Sequence, residues 1–516
     1  MTAFPAPAMA PNAHDQWYSD TDSAGRLLTH CVRTFLGVAV AMTMIAMPVV
    51  AHTVHQLLGI SLAAFLAAIV AIRMPHISVI AIITAFLFQN FFVSIMADFV
   101  RSDDDFDMIR AYNFLILAVT WVTFAVRYLL QWRSHGPLIM PYIKLSTGLM
   151  VAIGTYFLIG FALNGIQAII YLRNIVTPLL LFQICLTLFA AYPVRLGPML
   201  TVLSVLTVLC GFTESAARET WLALTNGYAY WELASGANWQ TLSYDQMAAE
   251  TGIVATGLID SFQISFFNSP LFSQLASTVT RLFGPNMHSI SFAYALSFFF
   301  IFAVFRGRWL QAFFLFILLF LCSAKGPLIM TALVVLTWVA FRLFGSGFAF
   351  LCIAAALSLY VVIGVIIGLQ IGDYHVLGLM AAIFEFFRNP IGHGIGSGGN
   401  LSPLFNTIVW TEAQAAGRTP FPVESSVGVL MYQLGIFAFA VIGGYIWIAW
   451  RVLRVAHLTG NALQAAIAFA VMGVVANGVF QEEAFFAPLA LSLFLGVGGM
   501  ILGASVRSGV EQRLAS

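Results

Sequence analysis

The most unusual string in the chain is Arg388-Asn-Pro-Ile-Gly-His-Gly-Ile-Gly-Ser-Gly-Gly-Asn400. Closely spaced glycines let backbone approach a ligand and expose N–H groups, as at phosphate-binding concavities. Gly392, Gly394 and Gly396 are therefore candidate ligand contacts, beside Arg388, whose guanidinium can take phosphate in bidentate fashion. His393 is a candidate proton carrier. A flexible turn between a span and a loop explains the same string. Glu424 precedes Ser425-Ser426 and a long apolar run. It suits a helix N-terminus, and it also suits a general base at a cavity mouth. Arg173, Arg281 and Lys325 interrupt or border apolar runs. A cation within a membrane costs several kcal/mol unless it is paired, hydrated or snorkelled. Each is either an interfacial anchor or part of a cation-lined cavity. Glu482 and Glu483 are expected to pair with these cations.

The elements that must position these residues follow from composition. Of 516 residues, 61% are hydrophobic and 8% are charged, against about 25% charged in soluble domains. Continuous apolar stretches recur along the chain, and lipid admits such stretches only as helices. The sequence predicts an all-α polytopic membrane protein with about fourteen spans (range about 12–14). The expected organisation is a tail (1–28), N-terminal spans (29–213), a large loop (214–285), central spans (286–368), a second large loop (369–426), C-terminal spans (427–505) and a tail (506–516). The N-terminal tail lacks a basic n-region and reads as a disordered cytoplasmic segment rather than a signal peptide. One span is expected at 427–450 and a short one at 309–322. The five cysteines read as small buried hydrophobes. A net charge of +1 names no polyanionic partner such as nucleic acid.

Basic residues concentrate in alternate short loops, which places both termini in the cytoplasm and both large loops outside. Arg101, Arg110, Arg173, Arg218, Arg281, Lys325, Arg388 and Arg418 then fall on the outer side. Arg101 and Arg110 bracket an aspartate run and read as a solvated loop. The first large loop is rich in aromatic residues (Trp221, Tyr228, Tyr230, Trp231, Trp239, Tyr244), and its 262–283 stretch has the pattern of an interfacial amphipathic helix.

Four strings occur in a telling order: RLFGPNMHSISFAYALSFFF (281–300), FLFILLFLCSAKGPLIMTALVVLTWVAF (314–341), NPIGHGIGSGGN (389–400) and ESSVGVLMYQLGIFAFAVIGGY (424–445). Together they resemble the O-antigen ligase/polymerase superfamily of membrane glycosyltransferases. Glu424-Ser425 is similar to the polymerase variant of its motif, whereas ligases carry His-Asn there. A second glycine at the usual short spacing after Leu434-Gly435 is missing.

The resemblance implies a GT-C-like fold in a bacterial inner membrane. It also implies transfer of a glycan from undecaprenyl pyrophosphate to a hydroxyl of a second lipid-linked repeat unit, with neither metal nor other cofactor. In that scheme Glu424 accepts the proton and His393 assists. Arg173, Arg281, Lys325 and Arg388, with the three glycines, meet the pyrophosphate, and loop aromatics stack on sugars. A flippase and a chain-length co-polymerase are the implied partners, alongside membrane lipid. Two rivals stay open: a ligase acting on lipid A core or protein, and a secondary transporter or lipid-linked glycan flippase. Transporters favour internal repeats and charged, broken helices at the midplane. Here no repeat is visible and the charges gather at helix ends.

Overall fold

The computed structural model describes residues 24–131, 137–235, 258–264 and 279–515. It is almost wholly helical. Among the described residues, ten helices are long and apolar enough to cross a membrane, so the chain is an all-α, multi-pass membrane protein. Helices α1 (Ala24–Val54), α2 (Gln56–Arg73), α3 (Pro75–Ile95), α4 (Asp103–Arg110), α5 (Tyr112–Leu130), α6 (Met140–Asn164), α7 (Ile166–Ala191) and α8 (Gly197–Ala216) form the first half. Short helices α9 (Arg218–Leu224), α10 (Gly227–Ser235) and α11 (Leu258–Ser261) follow. The second half holds α12 (Ser289–Val304), α13 (Trp309–Leu321), α14 (Lys325–Ile371), α15 (Tyr374–Arg388), α16 (Trp410–Ala416), α17 (Ser426–Leu434), α18 (Phe437–Thr459) and α19 (Ala462–Asn477). It ends with α20 (Glu483–Phe486), α21 (Leu493–Arg507) and α22 (Val510–Ala515).

Helices α3, α7 and α21 are central. Lipid and protein interior are equally apolar, so close packing rather than water exclusion must join them. Gly496, Gly499 and Gly503 line one face of α21, and a Cβ there would strike Leu181, the Phe182 carbonyl or the Leu186 carbonyl of α7. Peripheral helices turn large apolar side chains outward, among them Phe35, Leu130, Leu158, Leu310, Leu336 and Leu351. These surfaces face the acyl chains. Helix α14 is interrupted at Gly345, whose φ of +83° lies outside helical space, and α13 is short, at 13 residues.

Two expectations change. The span expected at 427–450 is two helices, α17 and α18, separated at Gly435 (φ +54°). A Cβ at Gly435 would collide with the Pro390 carbonyl; the glycine-rich loop wedges in at that point. The ends of the expected 262–283 amphipathic helix are instead two short strands, β1 (Gln263–Ile264) and β2 (Val279–Thr280), paired antiparallel with Gln263 opposite Thr280. Residues 265–278 lie outside the described residues. Both large loops also carry helices, α9 and α10 in the first and α15 and α16 in the second.

Candidate active site

Glu424 ends the second large loop. Its backbone is left-handed (φ +60°), a conformation that costs a non-glycine residue free energy and concentrates at functional sites. Two hydrogen bonds hold it there. The Glu424 N–H donates to Asn400 Oδ1 at 2.8 Å. His375 Nδ1 lies 3.1 Å from the Glu424 carbonyl oxygen and 3.4 Å from Glu424 Oε2. Both neighbours are acceptors, so Nδ1 carries the hydrogen. Asp373 caps α15 by accepting the His375 N–H at 3.0 Å, which fixes the imidazole's origin. Ser425, next to Glu424, caps α17 through the Gly428 N–H.

Asn400 is also tied on its far side. Its N–H donates to Glu482 Oε2 at 2.9 Å, and the Tyr171 hydroxyl donates to Glu482 Oε1 at 2.7 Å. Glu482 is 4% exposed. Burial pushes its carboxyl up to about 8 against the pull of those two hydrogen bonds. Burial likewise raises the Glu424 carboxyl. His375 opposes that shift, while the charges of Glu483 and Asp373 add to it. Crowded carboxyls in a low-dielectric setting hold protons that solvated ones would lose.

Cations lie in the same neighbourhood. Arg281 follows β2 and anchors its backbone on the Phe262 carbonyl at 3.1 Å. Its Nε is buried without a hydrogen bond, and among the described residues its guanidinium forms no ion pair. Burial lowers its pKa, and the nearby Glu483 charge partly offsets that. Lys325, exposed at the start of α14, lies within electrostatic reach of Arg281 and Asp373. His288 accepts the Ser291 N–H at Nδ1, which caps α12 and leaves Nε2 4.0 Å from Glu483 Oε1. Burial lowers the His288 pKa, yet 47% of its side chain is accessible. Tyr294 and Asn477 lie beside Lys325-Gly326: the Tyr294 hydroxyl donates to Gln481 Oε1 at 2.8 Å and accepts from Asn477 Nδ2 at 3.0 Å. Arg173 donates to Asn174 Oδ1 at 3.3 Å and is within reach of Arg110 and Asp107. Of the four non-glycine residues with left-handed backbone among the described residues, Met287, Ser323 and Glu424 all adjoin this cluster.

The glycine-rich loop does something other than expected. The His393 and Gly394 N–H groups donate to the Tyr432 and Gln433 carbonyls, and Ile395 N–H donates to Tyr156. The loop thereby satisfies carbonyls that the end of α17 leaves orphaned. Gly392 packs against the Gln433–Gly435 backbone, Gly394 against Gly160 and Gly396 against Ala168. The three glycines have a packing role, and the N–H groups expected to meet phosphate are largely taken by protein carbonyls. His393 stacks on Tyr432 at 4.3 Å and lies 3.4 Å from Glu385. No hydrogen bond or ion pair joins it to Glu424 among the described residues. His375 occupies the place expected of His393. Arg388 is exposed, over Phe384 at 4.2 Å, and belongs to neither group.

The aromatic expectation is also corrected. Trp221 and Tyr230 are buried, Tyr230 against Phe106, and Trp231 packs on Phe262 and Phe283. Trp239 and Tyr244 lie outside the described residues. Glu482 pairs with Tyr171 and Asn400 rather than with a cation. An open cleft of about 450 Å³ lies elsewhere, lined by Asp98, Asp103, Glu232 and apolar neighbours. Its lining holds carboxylates but no basic side chain. Sequence reasoning missed His375, His288 and Asn400. The available cue was an Asp-Tyr-His string at the start of an outer-loop helix. Comparison of the chain with protein-family models, with curated proteins and with solved structures finds no match.

Proposed function

We propose that this chain is a bacterial inner-membrane glycosyltransferase of about fourteen spans, GT-C-like, with both termini cytoplasmic. It extends polysaccharide from undecaprenyl-pyrophosphate-linked repeat units at the periplasmic face, without metal or other cofactor. The observation that carries this reading is a carboxylate and a cation that share Glu483 as an electrostatic neighbour. A strained, half-buried Glu424 has His375 at 3.4 Å, and Arg281, within electrostatic reach of the same Glu483, has no ion-pair partner among the described residues.

The acceptor hydroxyl oxygen attacks the anomeric carbon of the donor glycan, and its proton passes to Glu424. The bond between that carbon and the pyrophosphate oxygen breaks with inversion. The lipid pyrophosphate leaves with the electron pair. Arg281 and Lys325, with Arg173 further along, meet the negative charge as it grows. Preorganised cations in a dry site are worth far more than in water. Glu424 returns its proton to solvent past His375, which orients the carboxylate. A flippase would supply the donor and a co-polymerase would set chain length.

Purified protein given lipid-linked repeat units in EDTA should make polymer. Glu424→Gln should not, and cells carrying it should accumulate single repeats. Long lipid-linked polymer in such cells, with transfer to a final acceptor lost, would make the protein a ligase instead. Movement of lipid-linked glycan across vesicles without bond formation would make it a flippase.

A further inference from the structure

The C-terminal half of α15 runs away from Glu424. At 1.5 Å per residue, Arg388 stands about 20 Å along the helix from His375. There the Cζ of Arg388 lies 4.2 Å from the Phe384 ring centroid, and the Cζ of Arg418 lies 3.5 Å from the same centroid. Two guanidinium groups share one ring. Neither has a carboxylate at ion-pair distance among the described residues, and Glu385, one turn from Arg388, is directed to His393 instead. A phenyl face offsets little of the repulsion between two partly exposed cations. An anion taking N–H pairs from both would offset much more.

The surroundings indicate what carries the anion. Phe387 is 80% exposed, and Ile391, Ile436 and Phe439 are exposed beside it. Phe386 meets Phe439 edge-on at 5.6 Å, and the Ile436 N–H donates to the Pro390 carbonyl at 2.9 Å. These contacts seat the end of α15 on the start of α18, a membrane-spanning helix. The paired arginines thus stand at the rim of an apolar shelf, at the level where α18 begins its crossing.

We propose that Arg388 and Arg418 bind the phosphate of an anionic phospholipid of the surrounding bilayer, with an acyl chain lying on Phe387, Ile391, Ile436 and Phe439. The continuous apolar shelf selects a lipid over free phosphate. The distance from Glu424 selects a resident phospholipid over the reacting substrate. The bound lipid clamps α15 to α18 and so braces the glycine-rich loop between them. This site does not depend on the proposed glycosyl transfer.

The test uses the full chain in detergent, titrated with phosphatidylglycerol and read by native mass spectrometry. The wild-type protein should retain a phosphatidylglycerol that phosphatidylcholine does not replace. Arg388→Gln and Arg418→Gln should each weaken retention about fivefold, the loss expected for one basic residue near an anionic surface. Arg388→Lys with Arg418→Lys should fall between wild type and the glutamine variants, because charge survives and the fork does not. The single variants carry the test if the double variant fails to fold. Equal retention by wild type and variants would overturn the site. Displacement by millimolar inorganic phosphate would show a headgroup-only site, and preferential capture of farnesyl pyrophosphate would assign it to the substrate lipid. Either result would overturn the proposal.

Discussion

The two ends of the bundle employ arginine and glutamate differently. Around Arg451 and Glu511, at one end, charged groups are satisfied. Arg451 donates to the Tyr142 hydroxyl at 3.0 Å and to Glu511, and Glu511 also accepts from Tyr142 and Ser505. Arg507 donates to the Phe189 and Tyr192 carbonyls, Arg127 to the Tyr192 hydroxyl and Arg308 to Thr201. At the opposite end Arg281 has no ion-pair partner among the described residues, Glu424 is strained, and burial raises the carboxyls of Glu424 and Glu482. Satisfied charges anchor helices. Charges held short of satisfaction are available to a ligand, at a cost in stability that the rest of the fold offsets.

The contrast breaks most sharply at Glu424. Glu424→Gln should lower the elongation rate about 10²–10⁴-fold, the range for loss of a positioned general base, with an unchanged melting temperature. Near-normal elongation by this variant would remove the distinction between the ends. Arginine removal should then split the two ends by readout. Arg281→Ala should cost about 10²–10³-fold in rate while leaving thermal stability equal or slightly higher, because a half-buried cation without an ion-pair partner among the described residues is lost. Arg451→Ala should leave the rate per folded molecule intact and destabilise by about 3 kcal/mol, since it strands buried Glu511. Paired melting and elongation assays check both.

Two pH experiments sharpen the comparison further. Glu482 has a folded pKa raised above its usual 4.5 to about 8, so folding favours its protonated form. Its contribution is fully present below about 4.5 and is lost as pH rises through about 8. Wild-type melting temperature should fall across that window, and Glu482→Gln should flatten the fall. In the proposed mechanism the base form of Glu424 is the active one, so raising its pKa should move the acidic limb of the rate profile upward. His375 pulls that pKa down, and His375→Asn should therefore shift the limb to still higher pH. A limb that stays in place would detach His375 from Glu424. The smallest effect should come from Gly394→Ala, which adds a Cβ at φ +83° against Gly160. It should cost about 1–3 kcal/mol of stability and leave the rate per folded molecule nearly unchanged.

Composition alone determined that this is a helical membrane protein, because lipid leaves a run of apolar residues no other way to satisfy its backbone. Charge placement also marked Arg281, Lys325 and Glu424, which the fold gathers around one cluster with Glu483 and Asp373. That His375 rather than His393 lies beside Glu424 is a matter of tertiary structure. His393 has the more conspicuous setting, but its loop is drawn onto the end of α17 by orphaned carbonyls, and nothing local to 388–400 announces that pairing. His375 reaches Glu424 across 49 residues because α15 folds back within a segment that reads as loop. Arg388 leaves the cluster for the same reason: a helix separates by length two residues that a flexible loop could have joined. Hydropathy is a property of each segment and survives in the sequence. Which donor meets which acceptor depends on how segments dock, and that only the folded chain decides.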